Sequence, residues 1–235
     1  AKRLWYDLYD SYLKTKIRES EFRETISQCL FDYIDYGNCF AEVNYMDEIH
    51  KDPTTKEEVI TYRGPKVFRI SPFDIVFNPT AVSFADSPKF TRYLKSVGEL
   101  KKDAKYNLNL KYDKKAIAKA IDVRKNITGF RMEDINKADP MRIEGFGSLI
   151  EYYQSGIVEI LEFEGDIYDQ VNEKLLERRI ITIIDRSYIV RNIENPSWLG
   201  RDTKQMVAWR DRGDNLYGMG PLDNLVGLQY RIDHL

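Results

Sequence analysis

Histidine and cysteine are almost missing from this chain: two of each occur in 235 residues, as His50, His234, Cys29 and Cys39. No Cys-x-x-Cys pair and no Cys/His cluster exists, so neither a zinc site nor a His-based triad is expected. Cys29 and Cys39 sit in apolar settings and read as reduced structural thiols. Long hydrophobic runs are missing too. No stretch approaches eighteen consecutive apolar residues, so no helix long enough to cross a bilayer is expected. The opening "AKRLWYDLYD" is too charged and aromatic for a secretory signal, which leaves a cytoplasmic origin as the default. The phosphate-loop pattern G-x-x-x-x-G-K-[ST] is absent, and the lone G-x-G in "GMGP" falls short of G-x-G-x-x-G.

What is present is a chain that is 43% apolar and 31% charged, long enough to bury a sizeable core in one large domain or two ordinary ones. It starts without methionine inside one helical pattern and ends inside another, and the expectation is a piece of something longer. Its net charge of -2 is unevenly spread. Residues 89 to 125 hold twelve Lys/Arg against four Asp/Glu, whereas residues 144 to 169 hold seven carboxylates and no Lys or Arg. Such polarity suggests surfaces that face different partners, although a solvated face is the ordinary account of any charge run.

Periodicity organises the rest. Leu4, Leu8 and Tyr12, with Trp5, Tyr9, Leu13 and Ile17 beside them, form a broad apolar helix face. Phe22, Ile26, Cys29, Leu30 and Tyr33 continue it as a second helix ended by Gly37-Asn38. In "CFAEVNYM" the period changes to two, as in a half-buried strand. "DEIHKDPTTKEE" reads as a polar loop, "VITYR" as the hairpin partner, and "KVFRI" and "DIVF" as two more short strands, giving a small antiparallel sheet packed on the first helices. Residues 96 to 126 read as helical, opened by a Ser96/Glu99 capping box and restarted at Asp113. Residues 127 to 147, with Gly129, Pro140, Gly145 and Gly147, read as an irregular domain boundary. "IVEILEFEG", "RRIITIIDRSYIVRNI" and "QMVAWR" carry strand signals, with "NPSWLG" as a turn between the last two.

Two constellations invite a chemical reading. Glu162, Glu164, Asp166, Asp169 and Asp185 hold enough oxygens for a divalent metal, and a strand brings Glu162 and Glu164 onto one face. Carboxylates along a solvent-facing strand edge are also a common defence against edge aggregation, and no base completes a site. In "GMGP", Gly218, Gly220 and Pro221 precede a helix, where backbone N–H groups bind anions. Pro221, however, removes the most useful N–H, and proline at the first helical position is an ordinary helix start. Leu222, Leu225, Leu228, Ile232 and Leu235 then form an apolar stripe suited to packing. The sixteen tyrosines and eleven phenylalanines offer stacking surfaces, but most fall at helical or strand periods that suit a core or a subunit interface.

Three stretches, "LFDYIDYGNCFAEVNY", "VFRISPFDIVFNPTAVSF" and "MVAWRDRGDNLYGMGPLDNLVGLQYRIDHL", resemble the portal, or head-tail connector, proteins of podovirus-type and related tailed bacteriophages. The resemblance implies an α+β fragment of the phage portal fold. Residues 1–95 would be a wing-like part of helices and antiparallel sheet, and 96–148 a Lys-rich connector. Residues 149–210 would be a β-rich clip-like segment, and 211–235 the start of a stem or tunnel helix.

It further implies a ring of identical subunits, usually twelve, at one capsid vertex of the virion, assembled in the host cytoplasm. The implied partners are the major capsid protein, the terminase large subunit, tail adaptor proteins and double-stranded DNA in passage, with no membrane. No catalytic residue, cofactor or metal is implied. Tunnel or interface charges are implied at Glu159, Glu162, Glu164, Asp166, Arg210 and Arg212, and the acidic run could form a wall that avoids gripping DNA. The competing classes are a metal-dependent nucleic-acid-processing enzyme using Glu162, Glu164 and Asp185, and a protein adaptor that forms no ring.

Overall fold

The computed structural model describes residues 2–126, 135–197 and 199–234. The chain is a mixed α+β protein with antiparallel sheets, and it forms two compact units. The first comprises residues 1–89 and 195–235, and the second residues 90–194. These boundaries differ from the linear division at 95, 148 and 210 because the chain returns late to its first unit.

In that first unit, α1 (Lys2–Glu19) and α2 (Phe22–Asp35) are separated at Glu21, which is left-handed with φ 56°. Strand β1 (Asn38–Lys51) pairs with β2 (Glu58–Ile70) from Phe40↔Ile70 out to Lys51↔Glu58, slipping register between Glu48 and Ile49. The expected loop over "DEIHK" is therefore strand, and the turn is confined to residues 52–57. Likewise "VITYR" and "KVFRI" are one strand through Gly64-Pro65, because antiparallel pairing to β1 carries the chain across a dipeptide that reads locally as a break. On the other side of β1 lies β8 (Lys204–Ala208), in register from Asn38↔Ala208 to Glu42↔Lys204.

The core of this unit gathers Phe40, Ile70, Ile75 and Phe77, the last two from β3 (Ile75–Phe77), with Phe84, Met206, Leu216 and Tyr217 against them. Phe40 and Glu42 face inward on β1 while Val43 and Tyr45 are exposed, so the alternation is real but does not sort by polarity. Glu42 is matched by the fully buried Lys204 opposite, at 3.6 Å.

The second unit holds β4 (Lys89–Ser96), α3 (Val97–Tyr106), a 3-10 turn (Leu108–Leu110), α4 (Lys114–Lys125), α5 (Ile135–Ile143), α6 (Leu149–Gln154), β5 (Ile157–Asp169), β6 (Lys174–Ile184) and β7 (Tyr188–Glu194). Its strands lie in the order β4-β5-β6-β7. The Ser96/Glu99 capping box forms, with Glu99 N–H on Ser96 Oγ at 3.1 Å and Ser96 N–H on the Glu99 carboxylate at 2.9 Å. Asp113 caps α4 through the N–H of Lys115 at 2.8 Å.

The faces so oriented bury Leu100, Ala104, Ile117, Ala120 and Ile121 against Val158, Ile160, Ile184 and Val190. Within the expected irregular stretch, Gly129 lies outside the described residues and α5 occupies 135–143. Met141, Leu149, Tyr152 and Tyr153 form a small second core there. The segment is short of regular periodicity because its apolar residues serve two brief helices instead of one long one.

Candidate functional site

The carboxylates singled out in the sequence lie mostly on β5, and the structure divides them: Asp166 is exposed and Asp169 half-buried, whereas the others turn inward. Glu159, Glu162 and Glu164 are all buried, as is Asp185 at the end of β6. An unpaired buried carboxylate would cost several kcal/mol, roughly, so each needs a partner. Asp185 accepts both of its hydrogen bonds to Arg124 from one guanidinium nitrogen, at 2.6 and 2.7 Å, and takes a third from Tyr152 Oη at 2.6 Å. The same arginine caps the carbonyls of Tyr152 and Ile157. Tyr152 Oη in turn accepts the backbone N–H of Glu159 at 2.7 Å.

Glu159 is held by Arg186 at 2.8 and 3.0 Å and by Arg92 at 2.8 Å, and Arg92 extends to Glu144 at 2.6 Å. Glu162 meets Arg191 at 3.3 Å and the Thr182 hydroxyl at 3.4 Å.

A hairpin supplies the geometry. Asp185 and Arg186 both have positive φ, 50° and 59°, and Ser187 N–H closes the turn on Ile184 at 3.0 Å. Two consecutive left-handed residues match the twist of a tight hairpin. They also send neighbouring side chains to different acceptors, Asp185 to Arg124 and Arg186 to Glu159. Electrostatics follow from the pairing. Burial works to raise the Glu159 carboxyl, but the Arg186 and Arg92 guanidiniums prevail and hold it below the ordinary glutamate range. Burial and the Asp185 charge push the Tyr152 hydroxyl upward, so it stays protonated as a donor.

These partners change the reading of the acidic run. Beyond Glu144, Glu159 and Glu162, Glu151 accepts the N–H of Gly147 at 2.9 Å, Asp166 that of Arg178 at 2.7 Å, and Asp169 that of Val171 at 3.0 Å. Within the second unit these carboxylates are thus bound to guanidiniums and backbone N–H groups. Glu162, Glu164 and Asp185 do not form a metal-binding group: among the described residues no cluster of three or more His, Cys, Asp or Glu is placed to hold an ion. Arg210 is exposed in the first unit, where its carbonyl accepts Met219 N–H at 3.0 Å, and Arg212 is exposed and paired with Asp214 at 2.9 Å.

Sequence reasoning missed the arginines that answer the carboxylates. One signal was available: Arg124 falls in the apolar row of α4 with Ile117, Ala120 and Ile121, where a solvated arginine has no reason to be. Arg92 carried no such mark, because β4 was not recognised as a strand.

At "GMGP" the structure shows a backbone crossing. Asn38 receives Gly218 N–H on its side-chain oxygen at 2.7 Å and donates to the Gly218 carbonyl at 3.3 Å. A Cβ on Gly37, which has φ +69°, would lie 2.4 Å from Gly220 N, and one on Gly218 would lie 2.7 Å from the Ala208 Cβ. Gly220 N–H is already bound to the Asp223 carboxylate at 2.7 Å, so the amide a phosphate would need is occupied. The left-handed residue of this contact is Gly37; Gly220 permits close approach.

Helix α7 (Asp223–Asp233) begins two residues beyond Pro221, with Pro221 and Leu222 in a turn. Its apolar row is not packed within the chain: Leu222, Leu225, Leu228 and Ile232 are all at least half exposed, and Leu235 lies outside the described residues. No family model matches this chain, and no curated protein is detectably similar to it.

Proposed function

We propose that this chain is a structural, ring-forming subunit of the portal type, with the α+β units as parts of a portal fold. In this reading it acts as a conduit for double-stranded DNA at a capsid vertex and as a docking platform for capsid protein, terminase and tail adaptors. It carries no catalytic residue or cofactor of its own. The observation that supports it most is the apolar surface of the terminal helices. Leu4, Trp5, Tyr6, Leu8 and Tyr9 of α1 are each more than 60% exposed, and α7 adds Leu225, Val226, Leu228, Tyr230 and Ile232. Exposed apolar rows of this size mark surfaces that another protein covers. A heterologous contact repeated around a closing rotation covers them in every subunit of a ring.

The test is native mass spectrometry with negative-stain microscopy of the protein, as this chain and in its longest natural form. Annular particles of one subunit number are expected, and monomers alone at high concentration would overturn the reading. Mg²⁺-dependent plasmid nicking that disappears on Glu162→Gln would instead favour an enzyme.

A further inference from the structure

Cys29 and Cys39 are free thiols, and the fold sets them against each other. Cys29 stands one turn before Asp32, on the buried face of α2. That face looks onto the sheet, because Asp32 pairs with Arg69 of β2, which stands opposite Ala41 of β1. Cys39 lies two residues before Ala41 and so on the same side of β1, while Phe40 between them turns to the core on the other side. The two thiols hydrogen-bond each other where α2 meets β1. No other cysteine competes for either. We propose that Cys29 and Cys39 form a redox modification site, a dithiol that a low-molecular-weight disulfide such as oxidised glutathione converts into an internal disulfide joining α2 to β1.

Access assigns the order of attack. Cys29 is 4% exposed, whereas Cys39 is half-buried and open to a small oxidant. The Cys39 thiolate attacks one sulfur of the oxidant, whose S–S bond breaks; a first thiolate departs, and Cys39 carries a mixed disulfide. Cys29, deprotonated in turn, attacks Cys39 Sγ and expels the second thiolate. The two cysteine thiols lose two electrons and two protons in all, the oxidant gains the electrons, and its two departing thiolates take the protons. Burial raises both thiols above their ordinary value, Cys39 to about 11, so the pair stays protonated near neutral pH and the reaction is slow there. The equilibrium does not share that restraint. Thiols already held together by the fold join without the chain search that an unfolded segment must make. By linkage, whatever factor favours the disulfide in the folded state equally favours folding of the oxidised chain. The inference is independent of ring formation by subunits.

The experiment equilibrates the protein, folded and in urea, with glutathione redox buffers, followed by acid quench, alkylation and mass spectrometry of the non-reduced peptides. The folded chain is expected to form the Cys29–Cys39 disulfide without a lasting glutathione adduct, with an equilibrium constant at least about tenfold larger than in the denatured chain. It should also melt at a higher temperature once oxidised. The rate should rise about tenfold per pH unit on the acid side of the thiol titration, following the thiolate fraction. Cys29→Ala should trap the adduct on Cys39, and Cys39→Ser should leave Cys29 largely unmodified, with thermal melts confirming that each variant folds. The proposal fails if the wild type forms the disulfide no more readily folded than denatured, if glutathione accumulates stably on its Cys39, or if oxidation links separate chains instead of closing within one. Faster modification of Cys29 in Cys39→Ser than of Cys39 in Cys29→Ala would overturn the order of attack.

Discussion

Both units bury paired charges, Glu42 with Lys204 in the first and Arg124 with Asp185 in the second, but they treat apolar surface differently. In the second, charged side chains turn inward: Arg124 and Asp185 are each at most 6% exposed, and the faces of α3 and α4 are covered by the sheet. In the first, α2 docks on its sheet through Cys29 and the Asp32–Arg69 ion pair, but α1 and α7 leave large apolar side chains in solvent. A unit that pairs its buried carboxylates with arginines and covers the inner faces of two helices draws much of its stability from within. One that leaves a row of leucines and aromatics exposed is thermodynamically unfinished until something covers it. In the proposed reading, association would fall to the apolar rows of the first unit.

Breaking the buried ion pair should have the largest effect. Asp185→Ala strands the Arg124 guanidinium and frees the Tyr152 hydroxyl, and a loss of about 3–5 kcal/mol is expected by denaturant unfolding. Replacing the pair together, Arg124→Met with Asp185→Leu, should recover much of that, because two desolvated charges disappear at once. Next comes Gly37→Ala in the first unit. The left-handed φ alone costs about 1–2 kcal/mol, and the new Cβ meets the Met219–Gly220 backbone. Gly220→Ala should cost less, since its nearest contact would be 3.3 Å, a difference visible in melting temperature.

Titration sharpens the same contrast. The Glu159 carboxyl is held below its ordinary value of 4.5 in the folded state, so its contribution is fully present above that value. As pH falls below 4.5 the unfolded chain takes up the proton first, and the stabilisation fades until the folded carboxyl is protonated too. Stability of the wild type should therefore drop in this acid window more steeply than that of Glu159→Gln. A smaller effect, about 1 kcal/mol, is expected from removing the α3 cap by Ser96→Ala. Smallest on stability is Leu225→Gln with Leu228→Gln on α7, expected within about 0.5 kcal/mol because neither side chain is buried. The same pair should reduce self-association measured by sedimentation, and a large stability loss would mean that α7 packs within its own chain.

How legible each feature was depends on the range of the interaction behind it. Caps and helix rows involve neighbours three or four residues apart, and the Ser96 and Asp113 starts were read correctly from spacing. The strand over "DEIHK" was not, because its polar residues become strand only by pairing with β2. The acidic run was visible as composition, but not which of its carboxylates are buried: alternation on β5 says which residues share a face, not whether that face meets water or arginine. The leucine row of α7 was equally visible, but amphipathic spacing identifies a face without saying what covers it, and within this chain the row is exposed.

By itself the sequence determined the mixed α+β class, the capping residues Ser96 and Asp113, and the segregation of basic and acidic runs. These follow from local backbone preferences and periodicity. Only the tertiary structure decided that β8 returns to pair with β1, that Arg92, Arg124, Arg186 and Arg191 meet the β5 and β6 carboxylates, and that Gly37 lies beneath Gly220. Those contacts join residues from a few tens to fewer than two hundred positions apart. Nothing in the identity of either partner specifies the other until the chain has closed on itself, because a buried charge or a Cβ-free crossing takes its meaning from what stands opposite.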